Sequence, residues 1–158
     1  MDYRIGFSKD IHRLVENRKL IIGGVVIPFD KGEDAHSDGD VLYHAVAESL
    51  LGALALGDLG THFPDNKEET KNLDSAIIVS AVMKMVKERG YQINNIDIFI
   101  SLEKPKLKDY IPNMRLNLSK LLECDLLNIS IKAGTNEKCG EIGRGDAIEA
   151  SSIVLLKK

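Results

Sequence analysis

The chain has 158 residues, of which 44% are hydrophobic, and this composition predicts a core within a single domain spanning residues 1–158. The formal net charge of −3 and the absence of tryptophan argue against a nucleic-acid surface built from bulk positive charge or stacked aromatic rings. No apolar run reaches the ~18 residues of a membrane span. With two cysteines and no recognisable targeting segment, we expect a cytoplasmic protein without a disulfide framework.

The first predicted elements are strands. Tyr3–His12 reads as a strand, and Lys19–Ile22 and Val25–Ile27 flank a two-residue Gly-Gly turn, which is typical of a hairpin. Residues 30–39 form a polar stretch that is long for a connection within a compact domain, and we therefore expect a functional loop there.

The rest of the chain alternates helices with strands. Apolar residues at helical spacing predict a first helix over Asp40–Leu56, with Asp38 or Asp40 as its cap. The following predictions are a loop at Asp58–Thr70, a helix at Leu73–Arg89, a strand at Ile96–Leu102, a helix from Pro112 to about Cys124, a strand at Asn128–Ala133, a loop at Gly134–Gly145 and a strand at Ala147–Leu156. This order predicts an α+β fold with helices on one face of a mixed sheet.

Three side chains suggest a metal site. Asp10 and His12 alternate along a predicted strand and therefore share one face, and His44 lies in the first turns of the following helix. One carboxylate and two imidazoles suit Zn²⁺, and three protein ligands would leave an open position, as in catalytic sites. Spacing alone does not show that the three converge, and an Asp-x-His pair is also common on ordinary surfaces.

The polar stretch before the first helix suggests phosphate binding. Backbone amides at a helix start attract phosphate, and His36 and Ser37 could donate hydrogen bonds to its oxygens. The alternative is simple capping of the helix by Ser37 and Asp38. The glycine-rich segment 140–145 precedes a strand rather than a helix, which excludes a dinucleotide-binding loop.

Ten short motifs lie along the chain in an order that is characteristic of one protein family. They are, in chain order, Asp10-Ile11-His12, Ile21-Ile22-Gly23-Gly24, Ala35-His36-Ser37-Asp38-Gly39-Asp40 with His44, Leu56-Gly57-Asp58-Leu59-Gly60, Phe63-Pro64-Asp65, Pro105-Lys106, Ile111-Pro112-Asn113-Met114-Arg115, Lys132-Ala133, Glu137-Lys138 and Gly143-Arg144-Gly145. With these motifs the whole chain resembles the family of 2-C-methyl-D-erythritol 2,4-cyclodiphosphate synthases.

The resemblance implies a reaction of the non-mevalonate isoprenoid pathway. The 2-phosphate of 4-diphosphocytidyl-2-C-methyl-D-erythritol 2-phosphate would attack the β-phosphorus of its own diphosphate and expel CMP. Asp10, His12 and His44 match the ligands of Zn²⁺, Glu137 matches the single protein ligand of Mg²⁺ or Mn²⁺, and His36 and Thr135 match the groups that stabilise the transition state. The resemblance also implies a homotrimer with active sites between subunits.

The remaining implied contacts are to substrate. Besides the metal ligands and catalytic residues, the matched positions are Ser37, Asp58, Gly60, Phe63, Pro64, Asp65, Asn66, Lys67, Leu102, Pro105, Lys106, Leu107, Lys108, Ala133, Gly134, Asn136, Glu141 and Arg144. The chain departs from the family pattern at several of them: Gly134 and Asn136 stand where threonine is common, and Glu141 stands where an aromatic residue is common.

Two other functions compete with this interpretation. A zinc-dependent phosphohydrolase would use metal-bound hydroxide on a nucleotide, and its product would incorporate solvent oxygen. A catalytically silent trimer would only bind a nucleotide or an isoprenoid, and the intact metal and phosphate residues argue against it.

Overall fold

A computed structural model describes residues 1–64, 68 and 71–158 of the chain. The strands are β1 (Tyr3–Glu16), β2 (Leu20–Ile22), β3 (Val25–Ile27), β4 (Lys31–Asp34), β5 (Gln92–Ser101), β6 (Ile129–Gly134) and β7 (Ala147–Lys157). The helices are α1 (Val41–Ala53), α2 (Leu59–His62), α3 (Ser75–Glu88), α4 (Ile111–Leu122) and α5 (Gly140–Gly143), and a 3₁₀ turn spans Leu126–Asn128.

Five strands form a mixed sheet in the order β4-β1-β7-β5-β6, in which only β5 and β6 are parallel. Helix α1 lies across β1 and β7, α3 packs against α1, and α4 packs against α3 and β6. The core fills the space between this sheet and the helices. The predicted α+β class, with helices on one face of a mixed sheet, is confirmed.

The predicted Gly-Gly hairpin is present as a separate two-stranded sheet of β2 and β3. Gly23 and Gly24 have φ angles of 58° and 72°, which is the left-handed region that a type I′ turn requires at both positions. The loop expected at residues 30–39 is wrong in its first half, because β4 (Lys31–Asp34) pairs with the end of β1 there. The loops at Asp58–Thr70 and Gly134–Gly145 each contain a one-turn helix, α2 and α5.

Helix α1 approaches β1 most closely at Gly6. A Cβ atom there would lie 1.9 Å from the carbonyl oxygen of Ser49 and 2.7 Å from the backbone nitrogen of Ala53. Only glycine therefore lets the end of α1 rest on the strand. This close contact sets the distance between the helix and the strand that together carry Asp10, His12 and His44.

The other face of the sheet carries exposed apolar side chains. Odd-numbered residues of β1 point there, and neighbours on β5 and β7 extend the patch. Its large apolar members, each between 41% and 71% exposed, are Tyr3, Ile5, Phe7, Ile11, Phe99 and Ile153. Exposed large apolar side chains on one face of a sheet are a candidate interaction surface. In the described part of the chain, no helix is long and apolar enough to cross a membrane; the cytoplasmic location stays a prediction.

Two glycine substitutions on the α1–β1 contact test this packing. Gly6→Ala should lower the free energy of unfolding by about 1–3 kcal/mol, because the backbone of α1 must move away from the strand. Gly52→Ala is the matched control: its Cβ would meet only the carbonyl oxygen of Phe7, at 3.8 Å. This control should leave stability unchanged or raise it by up to about 1 kcal/mol, since alanine favours a helix over glycine. Denaturant unfolding measures both, and equal effects would contradict the assigned contact.

Candidate active site

Two elements bring the candidate metal ligands together. Strand β1 supplies Asp10 and His12, and α1 supplies His44 one turn after its cap, Asp40. The Nε2 atom of His12 lies 3.0 Å from Oδ2 of Asp10 and 3.3 Å from Nδ1 of His44. One ligand atom from each of the three residues lies within 4.8 Å of the other two. The convergence that sequence spacing could not establish is therefore present.

Hydrogen bonds on the far sides of the two rings select their tautomers. A carbonyl oxygen only accepts, so Nδ1 of His12 donates to the carbonyl of Gly39 at 2.8 Å. The hydroxyl of Ser75 donates to the carboxylate of Asp38 at 2.5 Å and therefore accepts from Nε2 of His44 at 2.9 Å. This assignment leaves Nε2 of His12 and Nδ1 of His44 with their lone pairs facing each other, as two ligands of one ion would.

The electrostatics of the cluster call for a cation. Burial lowers the pKa of His12, but the carboxylates of Asp10 and Glu33 outweigh burial and raise that pKa to about 10. Burial alone would raise the pKa of the Asp10 carboxyl, yet its hydrogen bonds to the two imidazoles hold it below its ordinary range. The two carboxylates therefore favour a positive charge at this position, which a divalent ion would supply. The donor set and the paired lone pairs fit such an ion.

A cavity of about 350 Å³ opens beside the three ligands. Its walls include four residues matched to substrate contacts, namely His36, Ser37, Gly60 and Phe63. Asp58 instead caps α2, where its carboxylate accepts a hydrogen bond from the Thr61 backbone nitrogen at 2.9 Å. Pro64 follows α2 in the chain, and Asp65, Asn66 and Lys67 lie outside the described residues.

A second cavity, of about 330 Å³, collects the residues expected to hold the nucleotide. They line the space between the end of β5, the start of α4 and the end of β6: Leu102, Pro105, Lys106, Leu107, Lys108, Ala133, Gly134 and Thr135. Among the described residues, none lines both this cavity and the one beside the metal ligands. The described chain therefore has two separate cavities, one beside the candidate metal ligands and one at the ends of β5 and β6.

The segment after Thr135 is tightly turned and exposed. The backbone nitrogen of Asn136 donates to the carboxylate of Glu103 at 3.1 Å, and that of Glu137 donates to the Thr135 hydroxyl at 3.3 Å. Glu137 itself has a φ of 50° and an exposed side chain. Glu141 and Arg144 lie elsewhere, in a third cavity of about 560 Å³ that includes Ile11 and Arg13 of β1.

Four supporting residues escaped sequence reasoning. Ser75 and Asp38 orient His44, and the buried Glu33 lies behind His12. Glu48 accepts hydrogen bonds from the Ser8 hydroxyl at 2.7 Å and the Leu59 backbone nitrogen at 3.1 Å, which joins β1 to α2. The sequence pointed to Asp38 only as a helix cap. Glu48 had a usable signal, because it follows His44 by four residues and so shares its helix face.

A carboxylate and two imidazoles converging from a strand and a helix, beside a polar cavity of substrate size, are typical of enzymes that use a divalent cation. The model of the YgbB family matches residues 3–157 of the chain. The chain belongs to the YgbB family.

Curated relatives resemble the chain over its full length. The 2-C-methyl-D-erythritol 2,4-cyclodiphosphate synthase of Carboxydothermus hydrogenoformans is 52% identical over 158 residues, which cover 100% of this chain and 97% of the relative. The synthase of the same name from Brachyspira hyodysenteriae is 51% identical over 155 residues, 98% of each chain. The family resemblance drawn from the sequence motifs is confirmed.

Solved structures share the fold. The bifunctional IspDF from Campylobacter jejuni aligns with a TM-score of 0.95 and 40% identity, over 99% of this chain and 42% of that chain. IspF of Plasmodium falciparum, in a CDP complex, aligns with a TM-score of 0.86 and 38% identity, over 98% of this chain and 95% of that one.

Metal content tests the ligand assignment. His44→Ala and Asp10→Ala should each abolish stoichiometric binding of a supplied divalent cation, because two remaining ligands hold an ion weakly, while circular dichroism shows the fold intact. His62→Ala is the control: its ring lies 3.0 Å from the Leu56 carbonyl oxygen, and His62 is absent from the ligand cluster. Elemental analysis after gel filtration measures bound metal. Full metal content in His44→Ala would refute the assignment.

Proposed function

We propose that the chain converts 4-diphosphocytidyl-2-C-methyl-D-erythritol 2-phosphate into 2-C-methyl-D-erythritol 2,4-cyclodiphosphate and CMP, in the non-mevalonate route to isoprenoids. The observation that carries this proposal is the cluster of Asp10, His12 and His44 beside a polar cavity, in a chain 52% identical over its length to a synthase of that name. An oxygen of the 2-phosphate bonds to the β-phosphorus as the bond from the β-phosphorus to the CMP oxygen breaks. No water is consumed, which places the enzyme among phosphorus–oxygen lyases.

The ion that fits the cluster best is Zn²⁺. One carboxylate and two imidazoles are common ligands of catalytic zinc, and three protein ligands leave a position open towards the cavity. Bound there, the ion supplies a Lewis acid and a template for phosphate oxygens. Asp10, His12 and His44 would hold the ion, and the cavity beside them has room for the substrate phosphate.

The residues around the metal position the attacking phosphate. Ser37 is buried, and its hydroxyl lies 3.1 Å from Nε2 of His44 and accepts a hydrogen bond from the Gly39 backbone nitrogen at 3.2 Å. We assign Ser37 and His36 to the 2-phosphate, because both line the cavity beside the metal ligands. Holding the phosphate in one orientation lowers the entropic part of the barrier for an intramolecular attack.

The second cavity, at the ends of β5 and β6, holds the cytidine diphosphate. Lys106 and Lys108 line its cavity and bring positive charge, and the Thr135 hydroxyl stands at its edge. Glu137 is exposed and free of ion pairs among the described contacts, and we assign it as the residue that would hold Mg²⁺ or Mn²⁺ together with the substrate diphosphate. One carboxylate with phosphate oxygens and water is a common way to hold such hard cations.

Homotrimer assembly would complete the site. The two cavities share no lining residue within the described chain, which supports an active site whose two halves come from different subunits. The apolar sheet face carrying Ile5, Phe7 and Ile153 supplies a surface that assembly would bury. That the assembly has three subunits is inferred from the family resemblance.

The reaction itself has a direct test. Incubation with the cytidyl substrate and Mg²⁺, in water enriched in ¹⁸O, should yield CMP and the cyclic diphosphate in equal amounts, followed by ³¹P NMR. Neither product should carry solvent oxygen, because the attacking oxygen comes from the substrate. Incorporation of ¹⁸O into a linear product would instead identify a metal-dependent phosphohydrolase. Binding of the substrate without any product would identify a silent nucleotide-binding protein.

Subunit mixing tests whether the active site lies between subunits. His44→Ala and Glu137→Ala homotrimers should each be inactive. After subunit exchange at equal amounts, about three-quarters of the trimers are mixed, and a head-to-tail ring gives each of them one intact boundary. Activity should therefore recover to about one quarter of that of the wild type. Each variant carried alone through the same exchange is the control, and no recovery despite demonstrated exchange would place each site within one chain.

A further inference from the structure

Glu33 is a buried carboxylate that the proposed reaction does not use. It lies on β4 opposite Leu14 of β1 and has 0% exposed surface. Its Oε1 atom accepts a hydrogen bond from the Val41 backbone nitrogen at 3.0 Å, and its Oε2 atom has no hydrogen-bond partner among the residues that the structure describes. Burying a charged group in this way costs stability unless a nearby positive charge compensates.

Capping of α1 does not account for Glu33. The helix already has a cap in Asp40, whose carboxylate accepts from the Tyr43 backbone nitrogen at 3.1 Å. Glu33 satisfies one further amide of the first turn, which a neutral amide side chain would satisfy equally well. A buried negative charge at this position therefore requires another reason.

The neighbouring His12 provides a reason for a carboxylate at this position. Oε1 of Glu33 is 3.6 Å from Nδ1 of His12, which is beyond a hydrogen bond but close for a charge in a buried site. The Gly39 carbonyl takes the hydrogen bond from the same Nδ1. Glu33 also packs on Gly39: a Cβ at residue 39 would lie 2.8 Å from the Cβ of Glu33. Glu33 thus contacts both the ring's far side and the residue that orients it.

The charges around the ligand cluster support the same role for Glu33. A divalent cation at the cluster meets one negative charge directly, from Asp10, and Glu33 supplies a second behind His12. His44 has a parallel arrangement, since Ser75 links its far nitrogen to the carboxylate of Asp38. Carboxylates behind metal-bound histidines orient the ring and increase its strength as a ligand.

We propose that Glu33 is a positioning residue for His12: its buried carboxylate stabilises the imidazole when Nε2 binds a divalent cation, and its packing on Gly39 holds the ring's hydrogen-bond acceptor in place. This inference rests on the proposed metal site. Glu33 touches neither substrate nor metal and acts only through His12.

Metal affinity of the purified protein provides the test. Glu33→Gln keeps the size and the acceptor for Val41 but removes the charge. At fixed pH, competition with a chelator should show Zn²⁺ bound about 10–100-fold more weakly than by the wild type. The ligand-field spectrum of the Co²⁺-loaded variant should differ from that of the wild type. The metal-free variant should still unfold in one cooperative transition, because the hydrogen bond to Val41 at the start of α1 is retained.

Two further variants separate positioning from folding. Ser49→Ala removes a buried hydroxyl of α1 that bonds to Ser152 at 2.9 Å, and it should lower stability while leaving Zn²⁺ affinity unchanged. Should Glu33→Gln not fold, Glu33→Leu replaces it, since apolar residues of similar volume often substitute for buried charges without loss of stability. Glu33→Leu should also bind Zn²⁺ at least tenfold more weakly.

The outcomes distinguish this inference from the metal site itself. If the wild type binds Zn²⁺ tightly and a folded Glu33 variant binds it within threefold of the same affinity, the role of Glu33 is overturned and the metal site is not. A wild type that binds neither Zn²⁺ nor Co²⁺ overturns the metal site and this inference together. Weaker binding in Glu33→Gln accompanied by an equal loss in Ser49→Ala would reduce Glu33 to a contribution to stability.

Discussion

The site depends on one buried carboxylate, that of Asp40, which holds the start of α1 against the β2–β3 hairpin. It accepts hydrogen bonds from the backbone nitrogens of Gly23, Gly24 and Tyr43 at 2.9, 2.7 and 3.1 Å. Burial raises the pKa of this carboxyl to about 7 despite those three donors. Because the hairpin turn is the anchor, the first turn of α1 starts at a defined place, and His44 follows one turn later over β1. A helix without this anchor could shift along the sheet and separate His44 from Asp10.

Hydrogen bonds fix the orientation of both imidazoles in the ligand cluster. Each imidazole has its outer nitrogen occupied, that of His12 by the Gly39 carbonyl and that of His44 by the Ser75 hydroxyl. The inner nitrogens therefore face each other, and a divalent cation would bind both without a turn of either ring. Such preorganisation reduces the reorganisation that binding and catalysis would otherwise require. The groups that support the two rings are themselves fixed in place. Ser75, for example, is buried in the first turn of α3.

Local sequence signals predicted most elements and suggested the candidate metal ligands, whose assignment rested on the family resemblance; they failed where non-local contacts decide. The Gly-Gly hairpin, the start of α1 at Asp40 and the Asp-x-His alternation are short-range patterns, and the structure contains all three. Strand β4 was missed because its residues, Lys31–Asp34, show no apolar alternation; its pairing with β1 forms it. The buried Glu33 was missed for a related reason: a charged residue predicts exposure unless its partner, here His12 from another strand, is known.

Strand β1 couples the metal site to the apolar face. Its even-numbered residues, Asp10 and His12, point towards α1, while odd-numbered residues such as Phe7 and Ile11 point to the opposite face. A shift of one residue in the pairing of β1 would exchange these sets, placing carboxylate and imidazole on the apolar surface and Ile11 in the metal site. Eleven register pairs with β7, from Tyr3 to Arg13, oppose such a shift. Strand β1 carries both the candidate metal ligands and part of the apolar face. A partner that covered this face would therefore also stabilise the register that directs Asp10 and His12 towards α1.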